Sequence, residues 1–134
     1  MNNPGSSETV TQGIRVKVEP EYVPEQSTPE QEKYLFAYKV TITNEGKRWA
    51  KLLSRHWEII NADGDEEIVD GPGVVGYTPD LDPGESFEYT SFCTLDTCWG
   101  TMQGYYRMSR DNDEEIFLVN IARFYLFNPV PVNA

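Results

Sequence analysis

Apolar and polar residues alternate along most of this chain, which is the pattern of β-strands that bury one face. The alternation is clearest over residues 34–44, where every second residue from Phe36 to Ile42 is large and apolar. In the last run, at residues 116–127, one face carries apolar residues at odd positions up to Ile121 and at even positions from Phe124 onward. This shift near Ala122 and Arg123 predicts a β-bulge. Runs of the same pattern predict six more strands, at residues 14–18, 51–61, 66–69, 86–91, 101–109 and 116–127.

Turn-forming residues separate these strands at intervals of about ten residues. An Asp-Gly pair at residues 63–64 is a strong hairpin signal between the third and fourth strands. Residues 24–33 are rich in proline and polar side chains and predict a mobile loop, whereas residues 71–84 hold four glycines and three prolines and predict a long loop. Short strands without helical periodicity predict an all-β, two-sheet antiparallel sandwich of about seven strands.

Length and charge restrict the class of protein further. A chain of 134 residues fits one domain with a substantial core. The net charge of −11 disfavours binding to nucleic acid. Residues 1–9 lack the basic start and apolar run of a leader, and no run approaches the roughly 20 apolar residues of a membrane span. We therefore expect a soluble, cytoplasmic, acidic protein without membrane insertion.

Several ordered motifs carry a resemblance to a known family. They are Arg55-His56-Trp57 and the runs GPGVVG at 71–76, PDLDPGE at 79–85, FEYTS at 87–91 and GTMQGYYRM at 100–108. Together these motifs resemble the ApaG family over about residues 10–127, which leaves a disordered segment at 1–9 and a tail at 128–134. The resemblance implies an immunoglobulin-like or fibronectin type III-like β-sandwich in a bacterial protein linked to cobalt and magnesium efflux. It implies no catalytic residue.

Gly71, Gly73 and Gly76 have the spacing G-x-G-x-x-G, which in nucleotide-binding domains lets backbone amides approach a pyrophosphate at the start of a helix. Here Pro79 follows within three residues and excludes such a helix, and the residues just upstream are acidic. The favoured explanation of these glycines is that they permit positive φ angles and tight backbone packing. A weak nucleotide or pyrophosphate binder that uses this loop is the alternative function.

Two acidic turns, at residues 63–67 and 111–115, offer the oxygen ligands that hard cations prefer. Neither has the glycine and the glutamate that an EF-hand calcium loop requires at its sixth and twelfth positions. Loops alternate between the two ends of an antiparallel sandwich, so these turns should lie at opposite ends and share no ion. We expect solvated hairpin tips, no metal site and at most weak divalent-cation binding.

No set of side chains predicts catalysis. His56 is the only histidine, and in the alternation it lies on the face opposite Trp57. A catalytic dyad or triad would therefore need a cysteine or serine from a distant strand, and nothing in the sequence indicates one. His56 is interpreted as a hydrogen-bonded structural residue. Cys93 and Cys98 are the only cysteines, too few for a zinc site, and they are either structural thiols or a short-loop disulfide. We expect neither an enzyme nor a cofactor.

Tyr77, Phe92 and Trp99 stand outside the main alternation, in segments interpreted as neighbouring loops. Exposed aromatic side chains commonly anchor protein interfaces, although rings at this place could instead close one end of the sandwich. With the long glycine and proline loop, they predict docking to an unknown protein partner. The sequence therefore predicts a noncatalytic interaction module, and the family resemblance adds an association with cobalt and magnesium homeostasis.

Overall fold

Two antiparallel sheets account for most of the regular structure in the computed structural model, which describes residues 3–111 and 115–129. Two single 3-10 turns, Pro24–Gln26 and Pro29–Gln31, lie in the connection that the sequence predicts as a mobile loop. No helix in the described part is long and apolar enough to cross a membrane. The strands are β1 (Ser7–Thr11), β2 (Ile14–Tyr22), β3 (Tyr34–Asn44), β4 (Ala50–Asn61), β5 (Glu66–Pro72), β6 (Asp80–Leu81), β7 (Ser86–Leu95), β8 (Trp99–Arg110) and β9 (Glu115–Phe127).

The order of strands is β1-β2-β3-β7 in one sheet and β5-β4-β8-β9 in the other, with β6 paired to β4. The predicted all-β, two-sheet antiparallel sandwich is confirmed. All seven predicted strands are present, and β1 and β6 are additional. The alternation does not reveal these two strands because β6 has only two residues and β1 has a single large apolar side chain.

The N-terminal segment differs from the prediction. Disorder at residues 1–9 is wrong for Ser7, Glu8 and Thr9, which belong to β1 and pair with β2. These residues are held by backbone hydrogen bonds rather than by buried side chains, which explains why composition gave no sign of them. Of the predicted tail at 128–134, residues 130–134 lie outside the described part, as do residues 112–114 of the second acidic turn.

The core lies between the sheets and follows the predicted alternation. Phe36, Val40 and Ile42 of β3 are fully buried, as the parity of that strand predicts. Across the two sheets, the ring of Tyr38 on β3 has its centroid 5.5 Å from that of Trp57 on β4 in an edge-on arrangement. Fully burying one large apolar side chain contributes roughly 1.5–3 kcal/mol, so this facing set supplies the main driving force for joining the sheets.

A pair of tyrosines joins the two sheets through the core. The hydroxyl groups of Tyr89 on β7 and Tyr106 on β8 form a hydrogen bond, and both side chains are buried. Removal from water raises the pKa of both phenols, so they stay neutral and satisfy each other. Because the two hydroxyl groups are hydrogen-bonded to each other, neither is left as an unsatisfied polar group inside the sandwich.

Two β-bulges change the direction of side chains. Met102 pairs with Phe124 but Gly104 pairs with Ile121, so β9 holds one extra residue at the predicted position. The predicted bulge near residues 122–123 is confirmed. A second bulge, at Leu53 in β4, has no signal in the sequence pattern.

Candidate functional site

The two long sides of the sandwich are built differently. On the closed side, β1 lies against β9, where Ser7 Oγ donates to the carbonyl of Ala122 at 2.8 Å and the amide of Asn120 donates to Thr11 Oγ1 at 3.2 Å. On the other side, the edge strands β5 and β7 border a cleft of about 330 Å³. We call β5, β7 and this cleft the open side. Its lining includes Tyr38, Arg55, Trp57, Glu67, Val69 and Phe92.

Among the residues that the structure describes, no strand pairs with the outer edge of β7. In an antiparallel pair, alternate residues bond to the neighbouring strand and the residues between them point their backbone groups away. The amide of Asn44 donates to the carbonyl of Glu85 at 2.9 Å, and the β3–β7 register then runs without a shift. Odd-numbered residues of β7 therefore bond to β3. The residues whose backbone groups point to the free edge are Ser86, Glu88, Thr90, Phe92 and Thr94.

The facing edge of β5 has a different chemistry. The amide of Asn61 donates to the carbonyl of Asp65 at 3.0 Å, and the amide of Gly73 donates to that of Leu53 at 2.8 Å. These bonds show that the odd-numbered residues of β5 form their backbone hydrogen bonds with β4. The edge is left with two carboxylates and a proline, which has no amide hydrogen to offer. The edge-facing residues are Glu66, Ile68, Asp70 and Pro72.

Arg55 closes one end of the cleft and holds the end of β5. Its Nη1 donates to the carbonyl of Pro72 at 2.8 Å and to that of Gly73 at 2.9 Å. Gly71 lies directly over the guanidinium, since a Cβ there would come within 2.9 Å of Nη2. The absence of a side chain at this position therefore lets a cation pack beneath the strand.

The predicted glycine loop forms a tight hairpin rather than a long irregular segment. Val74 and Tyr77 exchange two backbone hydrogen bonds of 2.8 Å, and the central residues Val75 and Gly76 have φ angles of 42° and 87°. These angles are those of a type I′ turn. The amides of Gly73, Val74 and Tyr77 are all used within the backbone. Phosphate or nucleotide binding by Gly71, Gly73 and Gly76 stays a prediction.

His56 lies in a polar cluster on the outer face of β4. Its Nδ1 is 2.6 Å from Asp70 Oδ1, its Nε2 is 3.2 Å from Glu58 Oε2, and its ring stacks on Tyr105 with centroids 4.5 Å apart. The hydrogen bond to Asp70 is the main cause that raises the pKa of His56. The cluster links β4 to the β5 edge, in agreement with a hydrogen-bonded structural histidine.

The two cysteines are separate free thiols. Cys93 is buried on the core-facing side of β7, and burial raises the pKa of its thiol to about 12. A thiol with such a pKa is a poor nucleophile, because the thiolate is the reactive form. Cys98 is exposed in the turn between β7 and β8. Of the two alternatives left open by the sequence, the structure has thiols and no short-loop disulfide.

The three candidate interface aromatics are exposed but do not share one loop cluster. Tyr77 is 62% exposed in the hairpin, with its ring centroid 6.0 Å from that of Phe87. Phe92 is 58% exposed within β7, and Trp99 is the first residue of β8. The interpretation of Phe92 and Trp99 as loop residues is wrong, because both strands extend beyond the predicted ends. Phe92 thus lies on the open side, on its free edge strand.

The strands that lead into the two acidic turns end at opposite ends of the sandwich, whereas residues 112–114 of the second turn lie outside the described part. In the β4–β8 register Asn61 pairs with Gly100 and Ala50 with Arg110, so β4 ends at one end of the sandwich and β8 ends at the other. Within residues 3–111 and 115–129, no group of three or more His, Cys, Asp or Glu residues is arranged to hold a metal ion. The first turn lies at one end of the open side, where the acidic side chains are Asp65, Glu66, Glu67 and Asp96.

Known proteins resemble this chain over most of its length. A family profile described as the ApaG domain matches residues 24–110. The ApaG protein of Anaeromyxobacter dehalogenans strain 2CP-C is 50% identical over 127 residues, which cover 95% of this chain and 99% of that protein. The ApaG protein of Brucella anthropi is 47% identical over 120 residues, or 90% and 92% of the two chains. The crystal structure of the ApaA protein from Bordetella pertussis has 48% identity and a TM-score of 0.83, covering 92% of this chain and 97% of that one.

Proposed function

Because this chain belongs to the ApaG domain family, we propose that it is a noncatalytic interaction module whose open side binds a protein partner. The observation that supports this proposal most directly is Phe92, a large aromatic side chain 58% exposed on an edge strand with free backbone groups. Exposed aromatic residues are frequent anchors at protein interfaces. Tyr77 and Ile68 add further exposed apolar surface on elements that flank the same side.

The side chains that could serve acid-base or nucleophilic chemistry favour a noncatalytic role. Both ring nitrogens of His56 are engaged with carboxylates, and the thiol of Cys93 is buried with a raised pKa. A catalytic pair needs an activated nucleophile within reach of its base. His56 lies on the outer face of β4 whereas Cys93 faces the core, so these two residues do not form such a pair.

The proposal predicts capture of a specific protein by the open side. The test passes an extract of the encoding bacterium over the immobilised chain, with Phe92→Ser to remove the ring and Val10→Ser as the matched control. Val10 is 45% exposed on β1, on the closed side. We expect a protein that is retained by the wild type and by Val10→Ser and is depleted at least about ten-fold by Phe92→Ser, as for an anchor residue. Equal retention by all three chains would contradict the proposal.

We propose further that the partner connects this chain to cobalt and magnesium homeostasis, as the family resemblance implies. An interaction module would act on ion balance through its partner rather than by carrying the ion. In a strain that lacks the gene, we expect altered growth in cobalt, restored by the wild type and by Val10→Ser but not by Phe92→Ser. Restoration by Phe92→Ser would separate the cobalt effect from the open side. The cytoplasmic location stays a prediction.

A further inference from the structure

We propose that β7 binds its partner by β-strand addition, in which an extended segment with apolar or β-branched residues at alternate positions and Lys or Arg at one end becomes an extra strand on its free edge. This inference rests on the proposed function and specifies the chemistry of the partner. The site is the outer edge of β7 from Thr90 to Thr94. The acidic end of the open side receives the basic residue.

The backbone of β7 is suited to pair with another strand. It has ten residues, its register with β3 has no shift, and β3 is the only strand within residues 3–111 and 115–129 that pairs with it. An edge strand with outward-pointing amide and carbonyl groups is a template for a further strand. Natural edges are usually blunted by proline, bulges or charges, and the outward residues of β7 include one charge, Glu88, which forms an ion pair with Lys39 at 3.4 Å. The edge is therefore open to pairing.

The side chains next to this edge define what the added strand would present. Thr90, Phe92 and Thr94 alternate on the outer face of the sheet, and all three are exposed. β-Branched and aromatic residues form favourable cross-strand pairs with residues of the same kind. The opposite face of an added strand would point into the cleft toward Trp57 and Val69. Both faces favour apolar or β-branched residues at the centre of the partner segment.

The acidic residues at one end of the open side predict a basic residue at the matching end of the partner segment. Asp65, Glu66, Glu67 and Asp96 line the depression that continues the cleft beyond Thr94, together with neutral residues and without a cation among the described lining. Unlike charges across an interface speed association and suppress wrong partners. A Lys or Arg of the partner next to Thr94 would complement these carboxylates.

A second copy of this chain is the competing occupant of the edge. Pairing β7 with β7 of another copy would bring two chains of net charge −11 together and would place acidic ends near the same interface. Like charges in an interface are destabilising. The charge therefore favours a basic partner segment, and self-association is one of the outcomes that the test separates.

The test uses the whole chain and a blocked ten-residue valine-lysine peptide, in which valine alternates with threonine and two lysines stand at one end. The charge control is a valine-glutamate peptide that has two glutamates in place of the lysines. Amide hydrogen exchange is followed by NMR at Thr90, Phe92 and Thr94, and at Ile68 on the β5 edge. We expect the valine-lysine peptide to slow exchange at the three β7 amides at least ten-fold while leaving Ile68 unchanged. The valine-glutamate peptide should have no comparable effect.

Two proline variants test whether the backbone carries the interaction. Thr90→Pro removes an outward amide of β7 and blocks the edge, and Ile68→Pro makes the matched change on β5; proline is tolerated on an edge where the amide points to solvent. We expect Thr90→Pro to weaken peptide binding at least ten-fold and Ile68→Pro to leave it unchanged. If Thr90→Pro does not fold, the exchange measurement on the wild type still decides the question.

The outcomes separate this inference from the proposed function. No protection at β7 with the valine-lysine peptide, or equal binding by Thr90→Pro, overturns strand addition even if a captured protein depends on Phe92. Protection that increases with protein concentration in the absence of peptide assigns the edge to a second copy and also overturns it. Protection of β7 by peptide without any captured protein supports strand addition and contradicts the proposed function.

Discussion

The strands β5 and β7 face each other across the same cleft but make different contacts with the rest of the molecule. Arg55 binds the carbonyls at the end of β5, and His56 binds the carboxylate of Asp70 on its edge. β7 pairs with β3 on one side, and no strand in the described part of the chain pairs with its other side. The difference teaches that one edge of a sandwich can be blocked by side chains while its neighbour keeps the hydrogen-bonding capacity that a partner can use.

The largest expected effect comes from the contact that brings β8 against β4, the strand that supports β5. A Cβ at Gly104 would lie 1.9 Å from the carbonyl oxygen of His56, and backbone cannot move away cheaply. We expect Gly104→Ala to lower the free energy of unfolding by about 3 kcal/mol or more, as for severe overpacking. Urea denaturation measures this change. Gly46→Ala is the control, because its nearest contact is a side-chain oxygen at 3.3 Å, and a comparable loss there would contradict the explanation.

The anchoring of β5 by Arg55 predicts the next largest effect. Arg55→Met keeps much of the apolar stem but leaves the carbonyls of Pro72 and Gly73 without their donor. Because the bond to Gly73 is partly buried whereas the bond to Pro72 is exposed to water, we expect a loss of about 1–2 kcal/mol, the lower part of the range of about 1–3 kcal/mol for an unpaired buried polar group. Hydrogen exchange at Val74 should accelerate more than exchange in β7. Uniform acceleration through both edges would show that Arg55 does not hold β5 in particular.

The hairpin after β5 contains a strained residue whose replacement should stabilise the chain. Val75 has a φ of 42°, which is unfavourable for a β-branched side chain, and it precedes Gly76 in a type I′ turn. Asparagine followed by glycine is the preferred pair in such turns. We expect Val75→Asn to raise stability by about 1 kcal/mol. A thermal melt measures the gain, and a decrease would indicate that the valine side chain makes contacts that outweigh the backbone strain.

The smallest predicted effect concerns pH at the β5 edge. Asp70 raises the pKa of His56 in the folded chain above the unfolded value of about 6.5. A raised pKa means that the protonated histidine stabilises the fold, so this stabilisation is complete below about pH 6.5 and is lost as the pH rises through the folded pKa. With Asp70 68% exposed, we expect it to contribute about 0.5 kcal/mol.

Melting temperatures across pH 5.5 to 8.5 test this assignment. Asp70→Asn should reduce the loss of stability between these limits, because the carboxylate that favours the protonated ring is removed. Asp63→Asn changes the same residue type in an exposed turn and should keep the wild-type profile. Identical profiles for the wild type and Asp70→Asn would assign the pH dependence to other groups.

Local patterns predicted the parts of this fold that depend on neighbouring residues. The alternation in β3 and the parity change in β9 predicted the buried face and the bulge, since both follow from where successive side chains point. β1 was not predicted because its polar side chains are only partly buried, and its position depends on backbone hydrogen bonds to β2. No pattern in the sequence could distinguish β7 from a central strand, because the strand order depends on contacts between distant segments.

The candidate site was predictable to a smaller extent for the same reason. Phe92 could be singled out as an aromatic residue outside the apolar alternation, and Gly71, Gly73 and Gly76 could be assigned to a turn. The role of Arg55 could not be predicted. The alternation in β4 placed Arg55 on the same face as Trp57, but it did not reveal that the end of β5 would supply two carbonyl groups for the guanidinium. Such contacts join residues that are 17 and 18 positions apart and depend on the register of β4 with β5.

The most direct test of partner binding on the open side is site-specific photocrosslinking in the encoding bacterium. A benzophenone amino acid is placed at position 92 on β7 in one strain and at position 10 on the closed side in another, both positions being exposed in the structure. The account predicts a discrete protein adduct from position 92 and none of comparable yield from position 10. Adducts of equal yield from both positions, or from position 10 alone, would contradict the claim that the open side is the binding surface.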